Sequence, residues 1–355
     1  MRTDAAALRA GAAERNKVDR DFTYIRPSGR RLSEYEAVNM YVQVEHGLMG
    51  SEGWFVLRAD GRTPWCTDST KLQHPHWFDF RDPAKLWQRV YTRNQAEQER
   101  AIERVTEETI LRGGLADIDK DWLEHIVRQH YRVWSFVEYG TFRPWATAQR
   151  EALSDTLGSV CVFEGLDRLR HAQDIVIWLM ELEMQLPGFQ DEGGKERWVT
   201  EPCYQPARRL IERLMHDQFD WGELAIATNL VIDPILTEVA VFQLIGRNGS
   251  LHGDVVTPFI VSTAQRDRRW SLAWTEALVK MVTEESVPAA KANKELIEDW
   301  VRTWTPLALD AAGALAEIYD KVPNKAAPFE QVMAGAQAAQ RRILDDLGLL
   351  TGGVA

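Results

Sequence analysis

The stretch "GLDRLRHAQDIVIWLMELE", Gly165 to Glu183, decides how the rest of the chain is read. Its apolar residues recur at helical spacing, so it predicts a long helix. It carries one histidine, His171, and three residues earlier stands Arg168. On a helix, positions i and i+3 share a face, so a carboxylate at 168 would complete an acid–imidazole half-site for a metal. A guanidinium has no lone pair to offer a metal and stays protonated.

Helical bundles that hold two irons take a Glu from each of two helices and a Glu-x-x-His from each of two others. The eight histidines are His46, His74, His76, His125, His130, His171, His216 and His252, and none has an acid three residues before it. "DRLRH", Asp167 to His171, resembles the D-E-x-R-H of a di-iron helix with Arg168 in the glutamate's place. In "QRDRRW", Gln265 to Trp270, Asp267 sits three before Trp270, so the acid is kept and the imidazole is missing. Glu138 and Asp233, each on the preceding helix, would fill the lone-carboxylate positions, as in a duplicated helical hairpin. The degenerate di-iron positions are therefore Glu138, Arg168, His171, Asp233, Asp267 and Trp270, with no metal, catalytic or cofactor-binding residue expected. An inward Arg168 needs counter-charges. Glu138, Asp233 and Asp267 are the candidates for an ion-pair cluster in the volume that irons would take.

Around this stretch the pattern is helical. "DPAKLWQRVYTRNQAEQERAIERVTEETILRGG" predicts a helix with Asp82 as N-cap and Pro83 at its first position. Glu97, Glu99, Glu103, Glu107 and Glu108 would form its solvated face. Further helices are expected near 118–140, 145–186, 217–246, 254–285, 289–320 and 328–348, with a kink at Pro234. Leu224 to Ile245 has the length of a membrane span, but Asp233 and Glu238 inside it favour a buried core helix. Residues 1–80 mix aromatics with Gly, Pro, Ser and Thr and offer at most one short strand, in "GWFVLRAD". They read as an irregular extension to a helical domain over 81–355. Trp54, Trp65 and Trp77, with little local core around them, are expected to pack on another chain.

The net charge of −11 does not invite nucleic acid, and no basic block suggests a membrane surface. Cys66, Cys161 and Cys203 make neither a disulfide framework nor a C-x-x-C motif. The N-terminus lacks the apolar stretch of a signal peptide, so a cytoplasmic location is expected. His74 and His76 lack further ligands at zinc spacing. Glu212 with His216, and Glu124 with His125, read as surface pairs.

The irregular aromatic-rich N-terminus, "YTRNQAEQERAIERV", "FEGLDRLRHAQD" and "HGDVVTPFIVSTAQRDRRW" occur in an order and spacing that resembles the small, or beta, subunit of the hydroxylase of bacterial multicomponent di-iron monooxygenases, the methane, propane, alkene, phenol and toluene enzymes. The resemblance implies an all-α, ferritin-like bundle with extra helices and no working site. It also implies a catalytic alpha subunit holding the di-iron centre, a second protomer in a heterotetramer or larger assembly, in some members a gamma subunit, and a regulatory protein and reductase that bring electrons from NAD(P)H for hydrocarbon oxidation by O2. Two other readings stay open on the residues alone. One is a stand-alone metalloprotein with an irregular site at Glu138, His171, Asp233 and Asp267. The other is an unrelated helical scaffold.

Overall fold

The computed structural model describes residues 32–40, 68–216, 220–322 and 324–349. Trp54, Trp65, Cys66, His46 and the "GWFVLRAD" segment lie outside the described residues. Among the described residues there is no strand. Helix α1 is Glu34–Met40, α2 is Gln88–Leu111, and α3 runs over 120–151, with Leu123–Tyr131 wound as π-helix. Then come α4 (Asp155–Gln185), α5 (Gly194–Thr200), α6 (Gln205–His216) and α7 (221–246, π-helical over Ile226–Gly246). The chain ends with α8 (Val256–Thr283), α9 (Ala290–Gly313), α10 (Ala316–Asp320) and α11 (Phe329–Asp346). The fold is all-α, as the periodicity predicts.

Four long helices, α3, α4, α7 and α8, form the centre. The pairs α3–α4 and α7–α8 are hairpins, α2 lies against α4 and α8, and α9 and α11 cover α7. Local chemistry sets the starts. Asp119 accepts from the Trp122 amide at 2.8 Å, Ser154 from Leu157, and Asp220 from Gly222 and Glu223. The buried Asp254 ties the starts of α3 and α8 together, accepting from Trp122 Nε1 and the Thr257 amide, both at 3.0 Å.

The α3–α4 boundary differs from the expected one. Gly140 and Pro144 do not end α3, which continues to Glu151, and the break falls at 152–154 before the Ser154 cap. Gly140 is needed for packing: a Cβ there would stand 2.4 Å from Ile211 Cγ2 on α6. Asp82 likewise caps a turn, accepting from the Ala84 and Leu86 amides, and not α2. Lys85, at φ 52°, is left-handed, so the helix cannot begin before it and starts at Gln88. The glutamates of α2 are exposed as expected.

Helix α7 is the most apolar and runs through the core. The stretch 221–252 is long and apolar enough for a membrane span, but 89% of its most apolar window is buried inside the protein. Pro234, which has no N–H to donate, lies within its π-helical part. Among the described tryptophans, Trp122, Trp145, Trp221, Trp274 and Trp304 are fully buried core residues. Trp77 packs edge-on against Trp221 of this same chain, 5.3 Å between ring centroids. The segment from 68 is stitched to the bundle. Ser69 donates to the Glu151 carbonyl, and Asn293 exchanges two hydrogen bonds with the backbone of Gln73.

Candidate functional site: a buried charge cluster

The four central helices bring Glu138, Arg168, His171, Asp233 and Asp267 together, all buried. Arg168 forks onto Asp233, with Nη1 to Oδ1 at 3.0 Å and Nη2 to Oδ2 at 2.6 Å, and its Nη2 also reaches Glu164 Oε1 at 3.0 Å. Bidentate pairing is the strong form of this contact. Glu138 and Asp267 do not touch Arg168 directly. Glu138 Oε2 accepts from Arg268 Nη2 at 2.5 Å, and Asp267 Oδ2 accepts from Arg170 Nη2 at 2.5 Å and meets His171 Nε2 at 3.0 Å.

The pairing is reciprocal. Arg168 on α4 takes the carboxylate of α7, and Arg268 on α8 takes the carboxylate of α3. The repeat therefore matches Arg168-x-x-His171 with Arg268-x-x-Ser271, one residue on from the expected Asp267–Trp270 frame. Ser271 is fully buried, whereas Trp270 points away from the cluster and donates its indole N–H to Asp82 at 3.1 Å. An α-helix advances 100° per residue, so a shift of one residue moves a side chain off the facing surface. Trp270 is thus removed from the inward set.

Arg268, Arg170 and Glu164 were missed by the sequence reading. Glu164 lies one turn before Arg168 and shares its face, and Arg268 is exposed as the partner of Glu138 once the frame is moved. Glu164 Oε2 also accepts from Asn229 and from Trp274 Nε1, both at 3.0 Å. Asp167 accepts from the Tyr91 hydroxyl at 2.7 Å and from Gln95 at 2.9 Å, so α2 closes the far side.

Six buried or nearly buried carboxylates (138, 164, 167, 174, 233 and 267) thus share three guanidiniums (168, 170 and 268). The surplus acid is met by shifted proton affinities. Burial favours the neutral form of Glu138 and Asp233, but the arginines outweigh it and hold both below the usual carboxylate range. Burial also opposes ionisation of Asp267, yet its His171 hydrogen bond and Arg170 keep it ionised. Burial raises Glu164, and it raises Asp167 further beside the negative Asp267. It pushes Asp174 up to about 6 despite Arg170. Burial, then Arg268, lower His171 to about 4, so its ring is neutral at pH 7.

Among the described residues, no group of three or more His, Cys, Asp or Glu side chains is placed to hold a metal ion. The Methane/Phenol/Alkene Hydroxylase family matches residues 54–286, which contain every residue of this cluster. The chain belongs to that family. It is 29% identical over 342 residues to the "Propane 2-monooxygenase, hydroxylase component small subunit" of Rhodococcus jostii (strain RHA1), covering 96% of this chain and 92% of the relative. It is 26% identical over 330 residues to the "Methane monooxygenase component A beta chain" of Methylococcus capsulatus (strain ATCC 33009 / NCIMB 11132 / Bath), covering 91% and 84%. Its fold matches a solved chain of toluene 4-monooxygenase with TM-score 0.71 and 24% identity, over 83% of this chain and 98% of that one. A ferritin-like hydroxylase bundle is the architecture the family resemblance implies.

Two other histidines, His74 and His130, have ordinary partners. His74 packs against Trp77 and accepts from the His76 amide, and His130 lies between the Ala240 carbonyl and Tyr204. Glu124 pairs with Arg128 and Glu212 with Arg208, opposite charges brought together at i, i+4 spacing.

Proposed function

We propose that this chain is the non-catalytic small subunit of the hydroxylase component of a multicomponent monooxygenase that oxidises an alkane, alkene or aromatic hydrocarbon with O2 and NAD(P)H. Relatives matching nearly all of its length carry names of hydroxylase small subunits or beta chains of propane and methane monooxygenases. The observation that carries the reading is the crossed pair Arg168–Asp233 and Arg268–Glu138 at the centre of the four helices. A di-iron site needs carboxylate and imidazole in those inward positions. Two guanidiniums stand there instead, each already holding a carboxylate that would otherwise be a ligand. This donor set does not fit a pair of irons, and no step of oxygen chemistry is routed through it.

The role is structural: to support the helices of a catalytic alpha subunit that holds the di-iron centre, and to help join two protomers in a heterotetramer or larger assembly. A gamma subunit belongs to it where the assembly includes one. The regulatory protein and the reductase dock on the completed hydroxylase, in the cytoplasm.

The test is to purify the hydroxylase through a tag on this chain, separate the chains and measure metal in each. A larger chain at equal stoichiometry carrying the iron is expected. Near-stoichiometric iron on this chain, or its purification alone as a functional metalloprotein, sinks the reading.

A further inference from the structure

Helix α4 carries a second pattern on the side away from the charge cluster. Leu166, Gln173, Ile177, Met180 and Met184 follow one another at intervals of seven, four, three and four residues. At 100° per residue these positions fall within about 60° of one another, and the stripe they form runs for about 27 Å. It lies opposite the face that carries Arg168, His171, Ile175 and Leu182 into the core. Ile177, Met180 and Met184 are 64%, 54% and 69% exposed, and Leu166 is 42% exposed. Helices α1, α2, α3 and α8 all pack on α4, yet they leave this stripe open.

Helix α8, the corresponding helix of the other hairpin, meets solvent differently. Its exposed residues are Ser262, Arg266, Arg269 and Lys280. A helix whose outer face stays in water keeps that face polar, as α8 does. A contiguous apolar outer face marks an interaction surface, and methionine side chains adapt readily to a partner's shape. The border of the stripe is acidic. From His171 to Gln185, α4 has the acids Asp174, Glu181 and Glu183 and no lysine or arginine. Glu181 and Glu183 flank Met184 on its two sides, about 60° and about 100° around the helix, and the helix C-terminus adds its own negative end. A second copy of this chain, with a net charge of −11, would bring the same acids against them. Complementary charge selects a basic-edged partner instead.

We infer that this stripe of α4 is the docking face for a helix of another polypeptide, apolar along one side and edged with lysine or arginine. Resting on the reading of this chain as the small subunit, that helix belongs to the larger, iron-bearing chain of the hydroxylase. The contact then bears on the same helix whose inner face carries Arg168 and His171.

The test uses the intact hydroxylase purified through a tag on this chain. With p-benzoylphenylalanine in place of Met180, irradiation should join this chain to the larger one. A benzophenone inserts into any C–H bond covering the stripe, so a link to a second copy of this chain or to a smaller subunit, or no link, overturns the inference. Peroxide checks the parent protein without a substitution. Met180 and Met184 should oxidise at least about tenfold more slowly in the assembled hydroxylase than in the same sample unfolded in urea, because susceptibility follows exposure. Equal rates overturn the inference. Ile177→Glu with Met180→Glu should lower the recovered larger chain at least about tenfold by burying unpaired charge. Recovery at the parent level overturns it, and if this variant fails to fold, the two measurements above decide. Glu181→Lys with Glu183→Lys should lower recovery at low salt more than at high salt, and unchanged recovery at low salt removes the basic edge assigned to the partner. A parent protein that brings down no larger chain sinks the small-subunit reading and this inference with it. A larger chain recovered with the stripe unlinked and reactive sinks the docking face alone.

Discussion

Arg168 could not be replaced by a residue of similar length and no charge without stranding its partners. Removing one member of a buried ion pair leaves the other desolvated and unpaired, which costs about 3–5 kcal/mol. Arg168→Met should therefore lower stability by about that amount in urea unfolding. Adding Asp233→Leu to it should recover more than half of the loss, since paired apolar replacements avoid the stranded charge. His171 gives a second residue-scale prediction. Its ring is neutral in the folded chain down to about pH 4, while the unfolded chain protonates at its ordinary value of 6.5. The unfolded state thus binds more protons between these values, so the His171 contribution is complete above pH 6.5 and is lost as pH falls toward 4. His171→Gln should show a shallower fall in melting temperature across that window than the parent chain. Equal slopes in the two proteins would contradict it. At this scale the sequence was informative where charge broke a spacing rule: Arg168 in the acid's place was visible, and so were Glu138 and Asp233 at hairpin distance. Arg268 was not, because three arginines lie in "RDRR" around one aspartate and composition does not say which one faces inward.

The helices themselves were legible because apolar periodicity and caps act locally. The boundary between α3 and α4 was not, because Gly140 and Pro144 look like breakers and their real reason is tertiary. Gly140 lets α6 approach α3 closely, and a Cβ would stand 2.4 Å from Ile211 Cγ2. Gly140→Ala improves intrinsic helix propensity by about 0.5–1 kcal/mol but forces overpacking, which costs about 1–3 kcal/mol. The net expectation is a lower urea midpoint, with α6 the first element to lose amide protection. A rise in the midpoint would mean that α6 moves aside freely. The start of α2 shows the same limit: Asp-Pro reads as a helix opening, and the left-handed Lys85 and the Trp270 indole on Asp82 are invisible in a one-dimensional pattern.

At the scale of the whole molecule, the segment 68–80 is part of the bundle through a few buried polar contacts. Asn293 holds the Gln73 backbone by two hydrogen bonds and donates to the Val282 carbonyl at 2.8 Å. Asn293→Leu would leave these groups without partners, a cost of about 1–3 kcal/mol. It should speed limited proteolysis within 68–80 before the helices are cut, and cleavage at the parent rate would show that the apolar contacts of Leu72 and Phe80 suffice. The irregular composition of this region concealed its attachment, because the anchors belong to helices more than eighty residues away. The crossed arginine pairs have a wider consequence for how the polypeptide reaches its native form. Each hairpin carries an arginine whose shortest ion pair is made with a carboxylate of the opposite hairpin, although Arg168 also has Glu164 and Arg268 also has Asp233 within its own. A fragment ending near residue 190 would keep Arg168 and Glu138 but lack Asp233 and Arg268, and the complementary fragment would have the reverse deficit. Made separately, the two pieces should remain loosely ordered. Made together, they should find each other and assemble, and this mutual dependence makes the central bundle a single cooperative unit despite its two-hairpin layout.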